Sequence, residues 1–325
     1  MIYDIHAHIA ASGGGHGRNY ISPDYRKDKT YLAMLERFDL PPEAGDWHQF
    51  DELIVGQTIH WLDESEVDRA VLLAMDFAYL EDGRLDFNHS MMATENEFVA
   101  EVVRRSKKAL FGASVHPLRE GALKELERVI EQGAALMQWT PVLQDIQPDA
   151  KACMPFYEML AHYKIPLLCH CGSESSLVMF PDDLSAPRRL IPALECGVTV
   201  IAAHCGTRLK LKDQDYFEEW KRMVLKYERF YGDLSSFCFT SRLWPLGTMI
   251  ETPELAAKLV FGSDFPSWTV PWSYVGQLGY MEVAELRKMD NPFDQAVATL
   301  RAVGVGPEIF ERAGSLLRLA GAKPG

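Results

Sequence analysis

Short runs of β-branched and apolar residues alternate along the chain with longer segments whose apolar positions recur every three to four residues. This alternation predicts strand followed by helix from one end to the other. The runs read as strands are Ile2 to Ile5, Ala70 to Met75, Ala109 to Val115, Ala134 to Trp139, Pro166 to Cys169, Val198 to Ala203, Phe230 to Leu234 and Lys258 to Gly262. Between them, Leu123, Leu126, Val129 and Ile130 fall on one face of a helix, as do Phe217, Trp220, Val224 and Tyr227. Thr94-Glu95-Asn96-Glu97 has the form of a capping box that starts a helix at Thr94, and Thr252-Pro253-Glu254 places proline at a first helical position.

Eight strands separated by helices in 325 residues predict an α/β fold, a (β/α)8 TIM barrel formed as one domain by residues 1–325. An open doubly wound sheet would alternate in the same way. Against it, Gly13-Gly14-Gly15-His16-Gly17-Arg18 has Arg18 where a dinucleotide fingerprint needs its third glycine. The connection from Ala10 to Glu66 is too long for an ordinary barrel loop, so residues 10–66 are expected to form a loop and helix insertion over the barrel mouth.

Charge narrows the partners. The chain carries 33 basic and 46 acidic residues, a net −13, which disfavours a nucleic-acid backbone or an anionic membrane surface and points to a small-molecule substrate. Apolar stretches such as Val198 to Ala203 fall far short of the roughly 18 residues that span a bilayer. The N-terminal residues lack the basic start and long apolar region of a secretory signal, and the six cysteines lie mostly inside apolar runs, as buried thiols do. The expectation is a cytoplasmic protein.

The chemistry gathers at strand ends. His6 and His8 end the first predicted strand, His116 follows the third, His170 the fifth and His204 the sixth, while Asp264 follows the eighth. A barrel brings these ends to one mouth. His6 and His8, two residues apart on a strand, point to one side and can share an ion. Neutral imidazoles with one carboxylate suit a divalent transition metal with an open coordination position. Cys169 and Cys171 alternate with His170 and so pack the other face of the strand.

The segments Asp4-Ile5-His6-Ala7-His8, Cys169-His170-Cys171-Gly172, Ala203-His204-Cys205-Gly206 and Phe261-Gly262-Ser263-Asp264-Phe265-Pro266 together resemble the amidohydrolase superfamily. More narrowly, they resemble its amidohydrolase-related branch, which includes aminocarboxymuconate-semialdehyde decarboxylase and related hydrolases and decarboxylases. The resemblance implies one divalent metal ion, Zn²⁺ or alternatively Mn²⁺, held by His6, His8, His170 and Asp264. It also implies His204 beside the metal's water, as a polarising or proton-shuttling group. Two departures stand out. Where binuclear relatives carry a carboxylated lysine on strand four, this chain has Gln138 or Trp139, and glutamine forms no carbamate, so a single metal is expected. Near the C-terminus, Phe310-Glu311-Arg312-Ala313-Gly314 lacks the asparagine many relatives place before their final leucines.

The implied reaction is attack of a metal-activated water on a carbonyl, lactone or amide, with Asp264 as ligand and proton acceptor and His204 stabilising the oxyanion. A non-oxidative decarboxylase uses the same ligands, and a non-catalytic binding barrel retains the same fold. Substrate-facing candidates are Arg18, Tyr20, His116, Trp139, Glu174, Arg208 and Trp268. Arg18 and Arg208 either hold a substrate carboxylate or sit in surface ion pairs. Trp139 and Trp268 either stack on a planar substrate or pack the rim, and His116 either lines the pocket or is structural. A homodimer is expected by analogy alone.

Overall fold

The computed structural model describes residues 1–9, 19–41, 47–174, 180–237, 241–267 and 269–319. Eight parallel strands follow one another around the molecule in chain order: β1 (Tyr3–His8), β2 (Arg69–Leu73), β3 (Ala109–Ala113), β4 (Leu136–Trp139), β5 (Leu167–His170), β6 (Val200–Ala203), β7 (Phe230–Asp233) and β8 (Leu259–Val260). Each coincides with a predicted run, displaced by a few residues at its ends. The ring closes where Ile5 N donates to Phe261 O at 3.2 Å and Ala7 bridges Phe265. With helices such as Ala122–Glu131, Met154–Tyr163 and Phe217–Lys226 in the connections, this is a (β/α)8 TIM barrel.

Both faces of the strands are covered, which is why their sequences read as nearly continuous apolar runs. Ile5, Val71, Leu73, Leu168, Ile201 and Val260 pack with one another in one cluster. Alternate residues such as Leu72, Met137, Trp139, Cys169 and Val200 join the larger core shared with the helices. Each such side chain taken out of water contributes roughly 1.5–3 kcal/mol. In the helix Ala122–Glu131, Leu126, Val129 and Ile130 are buried but Leu123 is exposed, so the predicted stripe is one residue too wide. The helix Asn96–Val103 starts one residue later than the capping box suggests: Glu95 is its cap, and Thr94 exchanges backbone hydrogen bonds with Met75. Among the described residues no helix is long and apolar enough to cross a membrane.

The long connection after β1 divides in two. Its second half is the helix Trp47–Glu64, which buries Ile54, Val55 and Leu62 and receives the Asn291 side chain at Trp61 O, 2.7 Å away, as an outer-layer helix of the barrel. Its first half supplies the strand Tyr20–Ile21, paired antiparallel with Met92–Ala93, and the helix Lys29–Arg37. That helix begins where the Asp28 carboxylate accepts from Thr30 N at 2.8 Å. It is tied to the loop after β8 by Arg37, whose Nη1 donates to Pro266 O and Ser267 O.

Candidate functional site

The barrel mouth is built from strand C-termini, and β1 sets it up with a bulge. Asp4 lies opposite Ala70 but Ala7 lies opposite Leu72, so β1 carries one extra residue between them. Without that residue Ile5 and His6 would face opposite sides. With it, Ile5 joins the inner apolar cluster while the His6 ring reaches His170 and His204, with centroids 4.7 and 5.3 Å away. The bulge needs room just beyond β8: a Cβ at Gly262 would stand 2.7 Å from His6 Cβ. Three other strand exits turn through left-handed backbone, at His204 (φ 58°), Ser236 (φ 59°) and Asp264 (φ 62°). Such conformations cost about 1–3 kcal/mol each for a non-glycine residue and cluster where side chains are aimed for function.

The aimed side chains converge. His6 Nε2 lies 3.0 Å from His8 Nε2 and 3.4 Å from Asp264 Oδ1, and His8 Nε2 is 3.8 Å from the same oxygen. Nδ1 of His6 donates to Asp233 Oδ2 at 2.7 Å, so Nε2 is the nitrogen left to hold either a second proton or a cation. Lone pairs brought this close repel unless a proton or a cation is shared between them. His170 repeats the pattern: Nδ1 donates to Glu174 Oε1 at 3.0 Å, and its buried Nε2 has no partner. His6, His8 and His170 form one group of potential ligand atoms within 4.8 Å of each other, and His6, His204 and Asp264 form another. The donor set, three imidazoles and a carboxylate, fits a divalent transition metal.

Asp233, at the end of β7, organises the cluster from behind. Oδ2 takes the His6 proton, while Oδ1 accepts from His204 N at 2.8 Å and from the Ser235 hydroxyl. Ser235 Oγ in turn accepts from His204 Nδ1 at 2.8 Å, which leaves Nε2 of His204 facing the mouth, 3.5 Å from Glu174 Oε1. The Ser236 hydroxyl donates to Asp264 Oδ2.

The electrostatics follow from this crowding. Burial by itself would lower the His6 pKa, but the charge and hydrogen bond of Asp233, with Asp264 behind, raise it to about 9. Burial, and then the positive charges of His6 and His170, push His8 down to about 3. Burial also lowers His170 against the pull of Glu174. Burial would raise Glu174, Asp233 and Asp264, but neighbouring imidazoles hold all three carboxyls below the usual range. The site thus keeps its carboxylates ionised and rejects a positive charge at His8.

A cavity of about 440 Å³ opens above the cluster, bounded by His8, His170, Glu174 and Asp264. Of the substrate-facing candidates among the described residues, only Glu174 lines it. Arg18 and Trp268 lie outside the described residues. Tyr20 packs against Phe77 and Phe87, and its neighbour Ile21 reaches the cavity instead. Trp139 points outward, its ring against Phe156 and Tyr157 and its Nε1 donating to Val115 O, because on β4 it is Gln138 that shares the inner face. His116 is buried between Gln144 O and Leu118 N. Arg208 faces Asp215 at 3.7 Å. The arginine in the cavity wall is Arg242, which sequence reasoning passed over, as it did Asp233, Ser235 and Ser236. A signal was available for the last three, as polar residues in and directly after the end of a predicted strand, Asp233-Leu234-Ser235-Ser236; Arg242 carried none.

The amidohydrolase family model matches residues 3–300. A search by sequence among curated proteins finds no match. Similar solved structures include an uncharacterised TIM-barrel protein from Bordetella bronchiseptica, at 13% identity and a TM-score of 0.57, covering 93% of this chain and 99% of that one. A protein provisionally named a 2-pyrone-4,6-dicarboxylic acid hydrolase, from Pseudomonas putida, is 14% identical with a TM-score of 0.55, covering 97% and 96%. The 5-carboxyvanillate decarboxylase of Sphingomonas paucimobilis is 12% identical with a TM-score of 0.52, covering 95% and 98%. At these identities the likeness concerns the fold.

Proposed function

This chain belongs to the amidohydrolase family, and on that premise we propose that it is a mononuclear metal-dependent hydrolase acting on a carbonyl-type bond of a small molecule, such as a lactone or amide. The observation that carries this reading is the convergence of His6 Nε2, His8 Nε2 and Asp264 Oδ1 within 3.0 to 3.8 Å, beside a His170 Nε2 that has no partner. His6, His8, His170 and Asp264 are the residues that would hold the ion, Zn²⁺ or Mn²⁺. When bound, such a cation supplies Lewis acidity and brings the pKa of water at the site toward about 7. Gln138 at β4 supports a single ion, since a carboxamide forms no carbamate bridge.

The chain's own groups divide the remaining work. Asp264, oriented by the Ser236 hydroxyl, accepts the proton that an attacking water releases. His204, held by Ser235 through Nδ1–H with Nε2 facing the mouth, stabilises the negative oxygen that develops on the substrate when Nε2 also carries a proton, the state in which the ring donates at both nitrogens. Glu174, hydrogen-bonded to His170 and 3.5 Å from His204, orients both rings.

The test is metal analysis of protein purified without chelator, followed by assay on lactones, amides and aromatic or unsaturated acids with carbon dioxide monitored. The expected result is close to one equivalent of a transition metal and hydrolysis of a lactone or amide. Less than about a tenth of an equivalent would overturn the metal enzyme in favour of a non-catalytic barrel. Carbon dioxide release from an acid in place of hydrolysis would make it a non-oxidative decarboxylase on the same ligands.

A further inference from the structure

The cavity above the histidine cluster has two unlike walls. One is mostly apolar and carries four methionines: Met34 on the helix Lys29–Arg37, Met75 beyond β2, and Met91 and Met92 at the short ribbon, with Ile21 beside them and Lys29 and Thr30 at the start of the helix. Methionine is unbranched and polarisable, and it moulds to apolar ligands of irregular shape. This wall is supplied by the two segments that depart from the minimal barrel, after β1 and after β2, so it is an addition to the scaffold and not a part of the ring.

The opposite wall contains Arg242. Its side chain is 1% exposed, with Nη1 donating to Thr207 O (2.7 Å) and Thr207 Oγ1 (3.1 Å) and Nη2 donating to Ser173 O (2.6 Å). Nε has no partner, and among the described residues no carboxylate forms an ion pair with this guanidinium. Neutral carbonyls hold the fork rigid, and the negative charges that act on it, those of Glu174, Asp264, Asp233 and Asp215, do so from beyond ion-pair distance and leave Nε without a partner. A buried, unpaired guanidinium is destabilising on its own, and an anion is the partner that its geometry completes best.

We propose that the substrate is an amphiphilic organic anion, whose apolar body lies against the methionine wall and whose acidic group is held by Arg242. The proposal deepens the hydrolase reading and rests on it, because both use one cavity. It selects, among lactones and amides, those carrying a sizeable apolar group and a separate carboxylate or similar anion.

Binding without turnover separates the two. The purified protein is titrated calorimetrically with 2-naphthoate, with 2-naphthalenemethanol as a neutral ligand of the same ring, and with acetate as an anion lacking the apolar body. The expected result is 2-naphthoate binding at least about tenfold tighter than either of the others, in metal-loaded and chelator-treated protein alike. Arg242→Gln is expected to remove that advantage over 2-naphthalenemethanol, and Met34→Glu to weaken both ring compounds. Equal binding of the two ring compounds by the unsubstituted protein overturns the proposal, as does acetate binding as tightly as naphthoate. These comparisons stand even where Arg242→Gln does not fold. A preference for naphthoate that vanishes on chelator treatment also overturns it, since the anion would then be held by the metal. Failure of the hydrolase reading shows instead as absent metal and absent turnover, with the binding pattern intact.

Discussion

Acid sensitivity of folding offers a quantitative check on one residue. His116 is fully buried beyond β3, with Nε2–H donating to Gln144 O at 2.8 Å and Nδ1 accepting from Leu118 N at 3.0 Å, so both ring nitrogens are committed to the neutral form. Burial lowers its pKa to about 4; the Gln144 carbonyl resists this and the charge of Arg119 adds to it. The unfolded chain titrates near 6.5, so between these values it binds more protons than the folded protein does. The stability from the neutral ring is therefore fully present above about pH 6.5 and is lost as pH falls toward 4. Integrated from pH 8, the loss is about 1.4 kcal/mol by pH 5.5 and about 2.6 kcal/mol by pH 4.5. His116→Gln has no ring to titrate. It forfeits the Leu118 hydrogen bond, costing about 1–3 kcal/mol at neutral pH, but it escapes the acid loss. Urea unfolding of both proteins at pH 8, 6.5, 5.5 and 4.5 measures the gap, and all other titrations cancel in the difference. The gap is expected to shrink by about 2.6 kcal/mol across the series. A gap constant to within about 0.5 kcal/mol would refute the reasoning.

Other perturbations probe the site. His170→Ala is expected to abolish metal content and activity together, and full metal retention by elemental analysis would remove His170 from the ligand set. Asp233→Asn places an amide N–H against donors that now meet a carboxylate, and should weaken metal affinity about 10- to 100-fold in chelator competition; unchanged affinity would contradict its role behind His6 and His204. Gly172 has φ +91°, and a Cβ there would stand 2.3 Å from Thr207 O, so Gly172→Ala forces apart the loops that follow β5 and β6. A loss of at least about 2 kcal/mol is expected, seen as a lower Tm; a variant as stable as its parent would show that those loops yield freely.

Much of the architecture was legible along the chain. Strands buried on both faces must be apolar throughout, and helices covering them must be apolar on one side, so the two periods could be told apart without a structure. The positions of His6, His8, His170, His204 and Asp264 were legible for a related reason: each follows an apolar run, and a barrel collects such ends. The substrate wall was not. Trp139 was a candidate either for stacking on a substrate or for packing, because it ends a run, but side chains alternate, and whether Gln138 or Trp139 faces inward depends on register with β3 and β5. Arg208 and Arg242 look alike in sequence, and only the fold pairs one with Asp215 at the surface and buries the other among backbone carbonyls.

The sequence by itself determined the succession of elements and the kind of chemistry available, since periodicity and side-chain type are local properties. Only the tertiary structure decided how those groups act on one another. The bulge that lets Ile5 and His6 share one side of β1 appears as a shift in pairing with β2, not as a residue type. The His6 to Asp233 hydrogen bond spans 227 positions. The pKa of a buried imidazole follows from charges within a few ångströms, whichever strand supplies them. Such distances exist only once the ring of strands has closed.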